Sequence, residues 1–173
     1  MAKRGWSSRS GVTVHAGRWQ DVISTLPSAA FDAVFFDTYE ESYMDLRQFM
    51  RELSRLLRPE GRFSFFNGLA PYNIFYHAVY CRIAQEDLLD HGLCCSFSAV
   101  ELKKLADVEW SGVRRRYWKF ETYYLPLAIS QSSGDTRPCN AAEAGLWRPW
   151  PGSAVRIGDR IESEEEPEPG PDE

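Results

Sequence analysis

The stretch that decides the fold is FDAVFFDTYEESYMDLRQFMRELSRLLRPEGRFSFFNGL, residues 31–69. Its first six residues are nearly all apolar and are followed by Asp37, as expected of a strand that is buried on both faces. Apolar residues then recur every three or four positions over residues 42–57, which predicts an amphipathic helix. A proline and a glycine end that helix, and residues 62–67 predict another strand. Because a helix separates the two strands, they are expected to be parallel neighbours in a βαβ unit.

The sequence around this unit continues the alternation. Residues 11–16 (GVTVHA) predict a strand before it, and residues 73–90 predict a second helix after it. Two further β-rich runs, residues 96–102 and 117–127, have no helix between them, so we expect them to pair antiparallel. The sequence therefore predicts an α/β fold with a largely parallel sheet and an antiparallel last strand.

The charge of the chain is concentrated at its end. The net charge is −5, but residues 162–173 alone contain seven acidic and no basic side chains. The other residues therefore carry 18 acidic and 20 basic side chains. The basic side chains form no stripe along the sequence, so direct binding to nucleic acid is not expected. Residues 130–173 lack apolar periodicity and end in a Pro/Glu-rich run. We expect a domain over residues 1–129 and a mostly disordered acidic tail over residues 130–173.

Several kinds of protein are disfavoured by composition. No apolar run approaches the roughly 20 residues that a membrane span needs, and the start lacks the apolar run of a secretory signal. The four cysteines form no CxxC pair, and the three histidines are far apart, so no metal site is expected. Reduced thiols are typical of a cytoplasmic or nuclear protein, which is the location that we expect.

Candidate site residues follow from the sheet. In open α/β sheets, ligands bind beyond the carboxyl ends of the strands. Asp37 stands directly after the most apolar strand, and its carboxylate could bind a cationic substrate. The alternative is that Asp37 caps the following helix or is simply solvated in a loop. The loop at residues 17–21 and the loop at residues 67–69 are expected to line the same crevice.

Four segments carry a resemblance to a known family. They are GRWQDV (residues 17–22), FDAVFFDTYEE (31–41), LLRPEGRFSFFNGL (56–69) and YWKFETYYLP (117–126). Together they resemble the C-terminal half of a class I S-adenosylmethionine-dependent methyltransferase, and within that class the guanidinoacetate methyltransferase family. The match is best to its fungal branch, which methylates the internal δ-nitrogen of arginine in proteins and is called type IV.

The resemblance implies roles for five residues. Trp19 and Gln20 match a Trp–Glu pair on the adenine side of S-adenosylmethionine, with an amide in place of the carboxylate. Asp37 matches the carboxylate that lies beside the methyl donor and binds the guanidino group. Gly68 and Leu69 match positions that touch the guanidino substrate.

The implied activity is methyl transfer from S-adenosylmethionine to the δ-nitrogen of protein arginine, with a ribosomal protein as the substrate that the family suggests. Two alternatives stay open: methylation of a small guanidino compound such as guanidinoacetate, and an inactive fragment that acts as a binding module. The chain contains no Gly-rich donor-binding turn. We therefore expect only the C-terminal portion of the Rossmann-like sheet, whose complete strand order in this class is three-two-one-four-five-seven-six.

The acidic end of the chain gives a first prediction. Deletion of residues 162–173 should leave the thermal melting temperature unchanged, because this segment has no apolar surface to bury. Differential scanning calorimetry of the full and shortened chains makes the comparison. A clear fall in melting temperature would show that the acidic segment packs on the domain.

Overall fold

A computed structural model describes residues 5, 8–38, 42–102, 111–112 and 118–131. The described part is a mixed sheet with helices in its connections. The elements in chain order are the helix α1 (Trp19–Val22) with a 3₁₀ turn (Ile23–Thr25), the strand β1 (Phe31–Phe36), the helix α2 (Tyr43–Leu56), the strand β2 (Leu57–Phe65), the helix α3 (Ile74–Asp90), and the strands β3 (Leu93–Glu101) and β4 (Thr122–Ser130).

The sheet has the order β1-β2-β4-β3. Strands β1 and β2 are parallel, whereas β4 runs antiparallel to both of its neighbours. This is the four-five-seven-six part of the strand order implied by the resemblance, so the α/β fold and the antiparallel last strand are confirmed. The last two strands do form an antiparallel pair, but β4 is inserted beside β2 and β3 takes the edge.

The helix α2 confirms the apolar periodicity. Its N-cap is Ser42, and the Asp45 carboxylate accepts hydrogen bonds from the Ser42 backbone N–H (3.0 Å) and hydroxyl (2.7 Å). These bonds hold the pKa of Asp45 below its usual value. The apolar stripe is buried against the sheet, as Leu46, Phe49, Met50, Leu53 and Leu56.

The helix α3 is joined to α2 by a polar contact. The Tyr43 hydroxyl donates to the Asp87 carboxylate over 2.6 Å, and Arg47 Nε donates to the same group over 3.1 Å. Burial and the hydrogen bond to Asp87 raise the pKa of Tyr43, so its hydroxyl keeps the proton that it donates. This pairing satisfies a carboxylate that lies almost fully inside the protein.

The predicted first strand is wrong. Residues 11–16 are assigned to no strand, and Val12 and Val14 are both exposed. A strand is defined by its backbone hydrogen bonds to a neighbouring strand, and among the described residues this segment has no such neighbour. β-rich composition alone therefore does not produce a strand here.

The other strand boundaries shift. β2 begins at Leu57, which pairs with Phe31, and the register then jumps so that Ala33 faces Arg62. Gly61 sits inside this irregular turn, where a Cβ would come within 2.8 Å of the Arg58 carbonyl oxygen. The predicted strands at residues 96–102 and 117–127 are displaced to the ranges of β3 and β4, where each residue of β3 has a cross-strand partner.

Three further expectations concern the C-terminal tail, the cysteines and membrane-spanning helices. The predicted tail lies almost entirely outside the described residues, apart from the end of β4 and Gln131. Cys81 and Cys95 are free thiols, but Cys94 is disulfide-bonded, so the expectation of reduced thiols is wrong for that residue. No helix among the described residues is long and apolar enough to span a membrane.

The core gives a second prediction. Leu53 is completely buried on α2, whereas Met44 on the same helix is 62% exposed. Leu53→Ala should lower the free energy of unfolding by about 2–5 kcal/mol, because it removes buried methyl groups and leaves a cavity. Met44→Ala is the matched control and should change it by less than about 0.5 kcal/mol. Urea unfolding measures both, and equal losses would contradict this packing.

Candidate functional site

The candidate site lies where β1 and β2 end side by side. Phe36 pairs with Phe65, and the Phe66 N–H donates to the Phe36 carbonyl over 3.0 Å. Asp37 follows the first of these residues directly, and Gly68 comes two residues after Phe66. The parallel pairing therefore brings two predicted substrate-binding segments to one edge of the sheet, as the rule for open α/β sheets requires.

Trp19 belongs to the same neighbourhood. Its ring packs edge-on against Phe36 and Phe49, with centroid distances of 5.9 and 5.2 Å. Since Phe36 immediately precedes Asp37, the indole is placed next to the end of β1. Gln20 follows Trp19 in α1, and both are half-buried. A predicted donor-binding residue thus packs beside the strand end that carries Asp37.

Arg55 fixes the segment that carries Trp19 and Gln20. From α2, its guanidinium donates to the carbonyl oxygens of Ile23 and Leu26, each over 2.8 Å. Its Nε also pairs with Glu52 over 3.0 Å. A four-residue helix has little stability of its own, so the hydrogen bonds directly after it and the ring contacts of Trp19 help to keep α1 in place.

Asp37 is exposed, and Thr38 beyond it is half-buried. Residues 39–41 of the FDTYEE motif lie outside the described residues. An exposed carboxylate at a strand end is free to accept hydrogen bonds from a planar cation, and a guanidinium can donate two at once. The geometry is therefore compatible with the predicted role of Asp37.

Gly68 and Leu69 are half-buried in the connection from β2 to α3. The Gly68 N–H donates back to the Phe66 carbonyl over 3.1 Å, which turns the chain sharply after the strand. A Cβ on Gly68 would meet the Phe66 ring at 2.8 Å. The close turn exposes backbone groups rather than a large side chain at this position.

An apolar groove of about 270 Å³ adjoins Trp19 and Phe49 on the side of the first part of β1. It is lined from β1 by Phe31, Ala33 and Val34, which belong to the first part of the strand, and by Leu26 and Leu56. Since Asp37 follows the other end of β1, this groove is not part of the candidate site, although Trp19 lines it too.

Two buried polar residues lie beneath the site, and the sequence places only Asn67 there, as part of the loop at residues 67–69. Asn67 and His77 are both completely buried, at the end of β2 and in the first turn of α3. The sequence raises the histidine only as a possible metal ligand, and no group of three potential ligands occurs among the described residues. The signal that could have found it is its position four residues after Asn73, the N-cap of α3, facing back to the loop.

Comparison with known proteins decides the family. A family model of guanidinoacetate N-methyltransferases matches residues 4–129, which is most of the chain. The chain belongs to this family. The predicted resemblance is thereby confirmed, and the matched range contains every candidate site residue.

Fungal proteins are among the relatives that this chain resembles. "Protein arginine N-methyltransferase 2" of Aspergillus oryzae is 45% identical over 130 residues, covering 73% of this chain and 31% of that protein. The proteins of the same name from Yarrowia lipolytica and Emericella nidulans are 40% and 38% identical, covering 73% of this chain and 28% and 30% of theirs. The chain thus spans about a third of the length of these relatives. Membership of a methyltransferase family and resemblance to arginine-methylating enzymes are confirmed.

One solved structure, described as a DNA modification methylase of Thermus thermophilus, superposes with a TM-score of 0.46. It is 21% identical, and the superposition covers 69% of this chain and 54% of that one.

His77 gives a third prediction. Burial lowers its pKa below 6.5, more than the hydrogen bond to Leu69 raises it. Below about pH 6.5 the unfolded chain therefore binds more protons than the folded one, and acid destabilises the fold. In urea titrations at pH 5, 6 and 7, the wild type should lose more stability on acidification than His77→Asn. If the free energy of unfolding fell equally with pH in the two proteins, this prediction would be contradicted.

Proposed function

We propose that this chain is part of an S-adenosylmethionine-dependent enzyme that methylates the δ-nitrogen of arginine in proteins, and that it supplies residues for the substrate and for the adenine side of the donor. The observation that supports the proposal is that Asp37 and the Gly68–Leu69 turn follow the paired ends of β1 and β2, while Trp19 packs on Phe36, the last residue of β1. The names of the fungal relatives support arginine in protein as the substrate, and a ribosomal protein is the partner that we propose.

The residues present fit one end of the donor. A half-buried indole beside an amide, as in Trp19 and Gln20, offers an apolar surface and hydrogen bonds of the kind that an adenine accepts. When bound, S-adenosylmethionine would supply an electrophilic methyl group on a sulfonium.

The protein's part in the reaction is orientation and proton removal. A guanidinium is a poor nucleophile because its nitrogen lone pairs are delocalised. The Asp37 carboxylate would accept hydrogen bonds from the planar cation and turn one nitrogen toward the methyl group. As the new N–C bond forms and the C–S bond breaks, that nitrogen must lose a proton. Asp37 would accept it and pass it to water.

A small guanidino compound is the second candidate substrate, because the matching family model is that of guanidinoacetate N-methyltransferases. Guanidinoacetate and arginine share the relevant feature, since the methylated nitrogen already carries a carbon substituent in both. The same carboxylate and turn could therefore serve either substrate.

The Asp37 side chain gives a fourth prediction. The test protein is a chimera in which this chain replaces the matching segment of the Aspergillus oryzae relative, which is 45% identical. Asp37→Asn should reduce methyl transfer roughly 30- to 1000-fold, because it removes the charge that orients the cation and accepts its proton. The affinity for S-adenosylmethionine should stay within about threefold. Transfer of labelled methyl to an arginine peptide and calorimetric titration measure the two quantities.

The matched control is Asp32→Asn on the same strand. Asp32 is exposed and pairs with Arg58 at the opposite end of β1, so its loss should leave turnover unchanged. Near-normal turnover of Asp37→Asn would remove Asp37 from the reaction. Methylation of free guanidinoacetate by the chimera in preference to the peptide would favour the second candidate substrate. The 173-residue chain alone, which contains no Gly-rich donor-binding turn, is expected to show little or no methyl transfer.

A further inference from the structure

The turn that carries Gly68 and Leu69 is anchored from the sheet by Asn67. The Asn67 backbone N–H donates to the Tyr123 hydroxyl over 2.7 Å, and its side-chain amide donates to the Tyr124 carbonyl over 2.8 Å. Both partners lie on β4, the strand next to β2. The residue before the turn is therefore fixed by hydrogen bonds within a fully buried site.

His77, on α3, holds the turn at Leu69. Its Nδ1 lies 2.5 Å from the Leu69 carbonyl oxygen. A carbonyl oxygen can only accept a hydrogen bond, so Nδ1 must carry the proton. The other ring nitrogen, Nε2, is then an acceptor, and it lies 3.7 Å from the Cys81 sulfur.

The state of Cys81 agrees with this arrangement. Burial raises the pKa of the Cys81 thiol to about 11, so the thiol keeps its proton and can donate it to Nε2. The Asn67 amide nitrogen also lies 3.5 Å from the Cys81 sulfur. A continuous set of contacts therefore runs from Asn67 through Cys81 and His77 to Leu69.

Aromatic rings enclose the His77 side chain. Trp118 and Phe120 lie at centroid distances of 5.4 Å from it, and Tyr124 lies at 5.7 Å. Burial among these rings favours the neutral imidazole, as the lowered pKa indicates. A ring packed in this way has little freedom to turn, so the position of the Leu69 carbonyl is fixed with it.

We propose that His77 is a positioning residue for the guanidino substrate: its Nδ1–H fixes the Leu69 carbonyl, and with it the backbone of the Gly68–Leu69 turn, against the end of β1. The proposal rests on the proposed function, in which that turn contacts the substrate. His77 itself touches neither substrate nor donor. Its effect is expected on the substrate side, because the segment that follows Trp19 and Gln20 is held separately by Arg55, at Ile23 and Leu26.

Two substitutions separate positioning from packing. His77→Leu keeps an apolar side chain in the cavity but has no donor. His77→Asn is smaller and packs less well, but its amide nitrogen is as many bonds from Cα as Nδ1 is, so it can still donate to Leu69. If His77 mattered only for packing, the leucine variant would be the better of the two. His91→Asn, at the far end of α3, is the control for a histidine outside the cluster.

The kinetic test uses the chimera with an arginine peptide. His77→Leu should raise the KM for the peptide about tenfold, with the KM for S-adenosylmethionine within about twofold of wild type, and His77→Asn should recover most of the loss. His91→Asn should behave as wild type. An unchanged peptide KM in His77→Leu, an equal rise in both KM values, or an asparagine variant no better than leucine would overturn the proposal.

A spectroscopic test on the full 173-residue chain needs no activity. Long-range ¹H–¹⁵N correlation of the imidazoles should show His77 as the neutral tautomer with the proton on Nδ1, and the opposite tautomer would overturn the proposal. If the wild-type chimera methylates no arginine peptide, the proposed function fails and the substrate role of His77 fails with it. The tautomer then still decides whether the hydrogen bond to Leu69 exists, so the two failures are distinguishable.

Discussion

The parallel pairing of β1 with β2 is the constraint on which the rest of the structure depends. From Ala33 to Phe36 the two strands stay in register, and the hydrogen bond from Phe66 N–H to the Phe36 carbonyl extends the pairing past the last ladder residue. Parallel neighbours require a crossover, and α2 provides it with five buried apolar side chains. The same register that buries those side chains also sets Asp37 beside the turn after β2.

Strand β4 adds a second constraint on that edge. By entering between β2 and β3, it places Tyr123 and Tyr124 opposite the end of β2, where they bind Asn67. An edge hairpin with β4 outermost would leave Asn67 without these partners. The strand order therefore matters for the site as well as for the sheet, because it lets a buried asparagine fix the start of the substrate-side turn.

The sequence predicted most of what depends on local pattern. The α2 stripe, the apolar β1 and the helix predicted over residues 73–90 are each determined by residues near in sequence, and the structure has them within a residue or two. The predicted strand at residues 11–16 was wrong because a strand needs a hydrogen-bonded neighbour, and composition does not reveal whether one is present. The predicted start of β2 was wrong because Leu57 already pairs with Phe31. The register then shifts across a proline and a glycine, two residues that normally end a helix or strand. The role of Asn67 within its loop was not predicted because its partners on β4 lie 56 and 57 residues away in sequence. His77 was missed as a functional candidate because the aromatic rings that enclose it come from β4 and the residues just before it.

The buried polar cluster also explains a contrast between the two sides of the site. Asp37 is exposed, so its carboxylate can follow a substrate at little energetic cost. Leu69, in contrast, is tied to a histidine that is itself enclosed by three aromatic rings. An apolar side chain in the place of His77 could fill the same space, but it would direct no carbonyl, since packing alone lacks the direction of a hydrogen bond. In the proposed site the fixed turn limits where the planar cation can lie, and the Asp37 carboxylate, which can adjust to it, orients the reacting nitrogen and accepts its proton.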